Sequence, residues 1–261
     1  MDSKQLKRKA RERGADLVGI ASAARWADWP SALNPRRIQP KCQSVIVVGR
    51  KVLRGALRGV EEGTSFYNTY GMYGKEWNET AFLVRVIHDV ALALEASGAE
   101  AVPLLGGGAG LDAKALAREA GLGVIGKGGF FLTPDYGHRQ RFGLILTDLA
   151  LEGDAVAPLD LCKDCSACLE ACPLAALRRD GDGAFTLDAS LCASCRNGRQ
   201  SAPATAYESN DRLASACGRA CLVALEGRIG NRFEAPFRKR STWSRDIEGR
   251  VSVAPLERKG S

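Results

Sequence analysis

One run constrains this chain more than any other: Cys162-Lys-Asp-Cys165-Ser-Ala-Cys168-Leu-Glu-Ala-Cys172-Pro173, three thiols at i, i+3 and i+6, then a fourth before a proline. Two-residue gaps let a tightly turned loop wrap three sulfurs around an iron–sulfur cubane, while the fourth, displaced by a helical turn, points to a second cluster. Pro173 suits the turn that follows, having no N–H to satisfy. Zinc sites are more often built from paired C-x2-C units with a longer spacer. A disulfide framework fits less well again, because cysteines this close cannot all pair.

A second cluster requires four more ligands, and Cys192, Cys195, Cys217 and Cys221 follow downstream. In a two-cluster arrangement the first three cysteines share a cluster with the last of the chain. That puts Cys162, Cys165, Cys168 and Cys221 on one [4Fe–4S] cluster and Cys172, Cys192, Cys195 and Cys217 on the other. The downstream half is irregular, since Cys217-Gly-Arg-Ala-Cys221 keeps the three-residue gap but is followed by Leu222 instead of proline. Cys42, the ninth cysteine, precedes the apolar run Val45-Ile-Val-Val48 and reads as a small buried hydrophobe.

At 261 residues and 45% hydrophobic, the chain can bury a core and fits one larger domain plus a smaller one. The start, Met1-Asp-Ser-Lys-Gln-Leu-Lys-Arg-Lys9, is charged, and no uncharged apolar stretch approaches a membrane span. A cytoplasmic protein without a membrane partner is expected, in keeping with many reduced thiols. The net charge of +7, denser at Arg238-Lys-Arg240, is compatible with nucleic acid or an acidic redox partner. Because the basic residues are not interleaved with aromatics as in a base-stacking platform, a solvated surface is the plainer explanation.

Taken in order, Ser3 can cap a helix to about Arg13 with Leu6 and Ala10 on one face and Gly14 as its stop. Strands are expected at Leu17–Ile20, Ser44–Gly49, Ala101–Leu105 and Phe142–Thr147. Residues 22–44, with Pro30, Pro35 and Pro40, read as a wandering loop. The stretch Thr64–Gly74 carries Tyr67, Tyr70 and Tyr73 and reads as a loop, either a pocket wall or aromatic packing. A long helix is expected over 76–97, with Phe82, Val86, Val90 and Leu94 at helical spacing and His88 as a hydrogen-bonded structural residue. Asp112 caps a helix over 113–120, closed by Gly121. Between Gly121 and Gly137 lie six glycines. Two phosphate-binding patterns match there, but G-x-G-x-x-G follows a helix instead of a strand, and G-x4-G-K has glycine at 128 where the magnesium-binding Ser/Thr belongs. What the glycines allow is close approach of backbone to something flat or bulky, with Lys127, Arg139 and Arg141 nearby as donors.

The stretch Ala117-Arg-Glu-Ala-Gly-Leu-Gly-Val-Ile-Gly-Lys127, then Thr133-Pro-Asp-Tyr-Gly137 and Leu146-Thr-Asp148, followed at once by the cysteine run, resembles the epoxyqueuosine reductase and reductive dehalogenase group over most of residues 1–225. The resemblance implies an α/β (α+β) nitroreductase-like domain that binds a corrinoid (cobalamin), over 1–155. It implies a ferredoxin-like domain with two [4Fe–4S] clusters over 156–225, leaving a basic C-terminal tail over 226–261 that packs on the surface. The glycine-rich loop would border the corrinoid through Gly123, Gly126 and Gly128, with Arg141 beside them and Lys127 and Tyr136 as catalytic polar groups. A bulky residue at 126 would then block cobalamin uptake and spare the clusters. The chain departs from the family pattern in three places. The position of the family's aspartate proton donor holds Gly107. Ala214 stands at the first position of the second cysteine motif, where Cys195 can substitute. No helical-repeat extension follows the clusters, which makes tRNA a doubtful partner. The implied activity is electron transfer from a low-potential donor of ferredoxin or flavodoxin type, through the clusters, to a corrinoid or another bound small-molecule acceptor. The alternative is an electron carrier that reduces a partner, such as a corrinoid protein, without a substrate of its own.

Overall fold

The computed structural model describes residues 1–58, 67–105, 110–156, 158–195, 199–201, 208–231, 241–245 and 251–255. In chain order these form α1 (Ser3–Glu12), β1 (Leu17–Ser22), β2 (Ser44–Lys51), π-helical turns at Tyr67–Glu76 and Asn78–Leu83, α2 (Val84–Glu95), β3 (Ala101–Leu105), α3 (Ala113–Glu119), β4 (Val124–Ile125), β5 (Phe131–Leu132) and β6 (Gln140–Thr147). Then follow α4 (Ala167–Glu170), β7 (Leu177–Arg179), β8 (Phe185–Leu187), α5 (Ala189–Ser194), β9 (Arg199–Ser201), β10 (Glu208–Asn210), α6 (Ala216–Leu225), β11 (Ser241–Arg245) and β12 (Val251–Pro255). Among the described residues no helix is long and apolar enough to cross a membrane. The chain divides into two compact units that interleave in sequence. One is Met1–Lys51, Trp77–Ile125 and Gln140–Leu159; the other is Val52–Glu76, Gly126–Arg139 and Asp160–Ser261.

The first unit is built on a four-stranded sheet of order β1-β2-β6-β3, antiparallel at every pairing. Register aligns Ile20 with Ile46 and Ile46 with Ile145, so these side chains share a face. They join Leu6 and Ala10 of α1 and Val86, Val90 and Leu94 of α2 in one core. On the other face Val45, Val47, Leu144 and Leu146 are fully buried, and α3 covers them with Leu116 and Ala117. Because helices cover both faces, β2 carries a continuous apolar run instead of an alternating one. Pro103 lies in β3 at the sheet edge, the place where a missing N–H is tolerated.

Local details differ from the sequence expectation for physical reasons. Asp2, not Ser3, caps α1: its carboxylate accepts from the Gln5 N–H at 2.8 Å, and the Gln5 side chain accepts from the Asp2 N–H at 3.2 Å. The Ser3 hydroxyl donates instead to the Glu152 carbonyl at 3.0 Å. Gly14, at φ 99°, follows the helix end as expected. The wandering loop before β2 contains three 3-10 turns, at Ala23–Arg25, Ser31–Leu33 and Pro35–Arg37. Where a helix over 76–97 was expected, its first part is π-wound, and the wider turn carries Phe82 off the apolar stripe to 44% exposure while Val86, Val90 and Leu94 stay buried. His88 is solvent-facing, 3.4 Å from Asp89.

The tyrosine-bearing stretch is likewise helical from Tyr67, not a loop. Gly74 leaves room for the Tyr70 ring, since a Cβ there would come within 2.5 Å of it. Tyr70 is fully buried in the second unit among Val52, Leu57, Leu213, Ala214 and Leu222, and its hydroxyl donates to Asp211 at 2.7 Å. Gly107 and Arg238–Arg240 lie outside the described residues.

Candidate metal centre

The cysteine run is shaped by short-range backbone bonds. The Cys165 N–H donates to the Cys162 carbonyl at 3.0 Å, α4 makes a single turn, and the Cys172 N–H closes onto Leu169 at 3.2 Å. Cys168 and Cys172 therefore stand about one turn apart. Downstream, α6 carries Cys217 and Cys221 at i and i+4, on one face and about 6 Å apart along the axis, and both are buried. Asp188 caps α5 through the Leu191 N–H at 2.8 Å, which sets Cys192 inside the helix and Cys195 at its end.

These elements surround two cavities in the second unit. Cys162, Cys165, Cys168 and Cys221 line one of about 320 Å³, with Gly126, Lys127, Gly128, Phe130, Leu132 and Leu225. Cys172, Cys192, Cys195 and Cys217 line the other, of about 340 Å³, with Pro173, Arg212 and Ser215 in its wall. Each pair spaced four apart thus gives one sulfur to each cavity: Cys168 and Cys221 to the first, Cys172 and Cys217 to the second. Ala214 lines neither cavity and packs in the apolar cluster around Tyr70.

Glycine at 126 and 128 has a specific reason. A Cβ at Gly126 would approach the Cys162 sulfur to 2.9 Å, and one at Gly128 the Cys168 sulfur to 2.7 Å. Gly126 and Gly128, two of the three glycines expected beside a corrinoid, thus stand in the wall of a cysteine-lined cavity. Lys127 stands at the same cavity, exposed, with its ammonium donating to the Lys163 carbonyl and 5.6 Å from the Phe185 ring centre. Gly123, Tyr136 and Arg141 line neither cavity. Tyr136 sits in the turn closed between Thr133 and Gly137, its N–H donating to the Thr133 hydroxyl at 3.2 Å. Arg141 pairs with Glu79 at 3.1 Å.

Burial favours the neutral thiol at Cys168 and Cys221. Burial pushes Cys168 up to about 11, and the neighbouring Cys162, Cys165 and Cys217 push the same way. Cys221 is raised further, again mainly by burial. Metal must therefore displace protons to bind. Among the described residues no three His, Cys, Asp or Glu side chains gather closely enough for a single metal ion; the thiols are spread around cavities, the arrangement a larger polynuclear group needs. The residues present fit such a group: eight soft sulfur donors, glycines where side chains would collide with sulfur, and a buried Arg212 Nε without a hydrogen-bond partner among the described residues, facing the need for an acceptor. Sequence spacing did not point to Arg212 or to Tyr70–Asp211, because their partners lie far along the chain.

No protein-family model matches the chain. It is 33% identical over 162 residues to an epoxyqueuosine reductase of Gloeobacter violaceus, covering 61% of this chain and 49% of that protein. To an epoxyqueuosine reductase of a Synechococcus species it is 32% identical over 219 residues, covering 73% and 64%. To a tetrachloroethene reductive dehalogenase of Dehalobacter restrictus it is 28% identical over 224 residues, covering 69% and 39%. The chain therefore spans about half to two thirds of these two epoxyqueuosine reductases. Among solved structures, an epoxyqueuosine reductase from Bacillus subtilis superposes with a TM-score of 0.59 at 19% identity, over 90% of this chain and 67% of that one. An epoxyqueuosine reductase bound to an epoxyqueuosine-modified tRNA stem loop gives 0.54 at 20%, over 73% and 56%. A catabolic reductive dehalogenase in complex with 3-bromo-4-hydroxybenzoic acid gives 0.55 at 21%, over 83% and 30%. The fold is the mixed α/β fold of these neighbours, and the chain belongs to the group formed by the epoxyqueuosine reductases and the reductive dehalogenases.

Proposed function

We propose that this chain is an iron–sulfur oxidoreductase that holds one [4Fe–4S] cluster on Cys162, Cys165, Cys168 and Cys221 and another on Cys172, Cys192, Cys195 and Cys217. The observation that carries the proposal is the division of eight cysteines, four and four, between two cavities of like size. When bound, such clusters supply one-electron transfer at low potential. The chain's own residues supply the rest. The thiols would give up their protons to hold the clusters. Gly126 and Gly128 keep side chains away from the sulfurs. Phe130, Leu132 and Leu225 exclude water from the first site, and Lys127 places a cation at its edge.

A nitroreductase-like domain over 1–155, a ferredoxin-like domain over 156–225 and a basic tail over 226–261 belong to the same proposal, with segments 52–76 and 126–139 joined to the cysteine-bearing unit. Likeness to the neighbours also suggests a donor of ferredoxin or flavodoxin type and cobalamin as acceptor. Of the glycines assigned to that cofactor, Gly126 and Gly128 abut cysteine sulfurs and Gly123 lines neither cavity. A tRNA substrate returns as a proposal on likeness to the stem-loop complex, since this chain spans only part of that relative.

Anaerobic reconstitution with iron and sulfide tests the assignment. About eight irons and eight sulfides per chain are expected, by the four-thiolate rule; about four of each would overturn the two-cluster reading. Cys195→Ser should damage one cluster's EPR signal and spare the other, and Cys42→Ser should change neither. Titration with cobalamin, followed in the visible spectrum, then decides the acceptor: without saturable binding, an electron carrier serving a partner becomes the better account.

A further inference from the structure

Arg212 stands between the two cysteine cavities. It lines the second cavity, while its Nη2 donates at 2.8 Å to the carbonyl of Gly128, a residue that lines the first. Its guanidinium carbon stands 4.4 Å from the centre of the Phe130 ring, which is buried in the first cavity's wall. Stacking on a fixed ring and bonding to a loop carbonyl leave the planar fork little freedom. The backbone beneath it is held as firmly. The Ser215 hydroxyl donates to the Arg212 carbonyl at 2.6 Å. Gly218 of α6 has no side chain where a Cβ would come within 1.8 Å of that same oxygen. Arg212 is thus pressed against the helix that carries Cys217 and Cys221.

Its Nε is buried and, among the described residues, has no hydrogen-bond partner. A buried donor on a charged group is costly unless an acceptor completes it. The sulfur atoms of a bound cluster are such acceptors, and N–H bonds to them are among the factors that set its potential.

Resting on the two-cluster reading, we infer that Arg212 is a positioning residue for both sites. Through Gly128 it fixes the glycine wall of the first. Through Nε–H and its fixed positive charge it raises the reduction potential of a cluster held beside it. The sign follows from charge. Reduction adds one electron from a low-potential donor, breaks no bond, and makes the site more negative by one unit, which a nearby cation favours.

The test is an EPR-monitored redox titration of anaerobically reconstituted protein, with dithionite as the electron source and iron content measured alongside. In Arg212→Leu with iron retained, one of the two one-electron transitions should move down by at least a tenfold change in the reduced-to-oxidised ratio, about 59 mV, and the other by much less. Arg212→Lys, which keeps the cation and loses the fork, should fall between. Coincident titrations of Arg212→Leu and wild type overturn the inference. If Arg212→Leu loses iron, Arg212→Gln is read instead: it keeps an N–H without the charge, so a downward shift supports the inference and an unchanged potential overturns it. Wild type that loads about eight irons while the variants show no shift defeats the Arg212 inference alone. Wild type that takes up no iron defeats the two-cluster reading and this inference together.

Discussion

Single atoms decide much of what the cysteine cavities can hold. A Cβ at Gly126 would press on the Cys162 sulfur and also come within 2.7 Å of Leu132, so the loop is glycine there because a thiol occupies the space. Gly126→Val should therefore lower iron content and alter one cluster's EPR signal, contrary to the expectation that it would spare the clusters. Full iron with an unchanged spectrum would show that the loop can move aside. Cys42 illustrates the opposite role. It is fully buried in the first unit, its thiol donating to the Ser44 carbonyl at 3.4 Å, and burial lifts its pKa from 9.0 to about 11. The folded chain then holds that proton to higher pH than the unfolded chain does. Its contribution is complete below pH 9 and lost as pH rises toward 11, on the order of 2 kcal/mol. Urea midpoints of the iron-free chain should fall over that window, and those of Cys42→Ala should fall less steeply.

Elements meet where side chains are missing. In β1, a Cβ at Gly19 would lie 2.3 Å from the Ala120 carbonyl, a backbone atom that cannot rotate away. In β6, a Cβ at Gly143 would meet the tip of Ile87, at 2.1 Å, which can change rotamer. Gly19→Ala should accordingly cost the upper part of the overpacking range, about 3 kcal/mol, and Gly143→Ala about 1 kcal/mol. Equal losses in chemical denaturation would mean that the helix after β3 yields as readily as one side chain. Within the second unit, Tyr70→Phe removes the hydroxyl donor to buried Asp211 and should cost about 1–2 kcal/mol by the same measurement, since Tyr70 packs beside Leu213 and Leu222 next to the cysteine-bearing helix.

Across the whole molecule, stability has two sources. The first unit has a continuous sheet with helices on both faces and a core running from Leu6 to Leu151. Apart from α6 and the Tyr67–Glu76 segment, the cysteine-bearing unit joins short hairpins and short helical turns, so ligand bonds should supply much of its order, as they do when metal binding is coupled to folding. Hydrogen exchange should show the consequence. Loading with iron is expected to protect peptides spanning 160–195 and 211–231, with little change across 17–51 and 140–147. Protection spread evenly over both sets would overturn that division.

The four strands of the first unit's sheet, the Asp112-capped helix, the core stripe of α1 and the eight thiols are legible in the sequence, because each depends on spacing between near neighbours along the chain. Cys162 to Cys172 are legible for the same reason: one loop and one turn set their geometry. Local winding and capping geometry turn Phe82 outward and give the cap to Asp2 instead of Ser3, and packing of distant segments sets Gly126 and Gly128 against cysteine sulfurs and brings Arg212 to Gly128 across 84 residues of chain. Tyr136, Gly123 and Arg141 look equally available in one dimension and line neither cavity in three. The physical cause is that a glycine or an arginine carries no periodic signature of its partner; what it does is set by which distant segment packs against it.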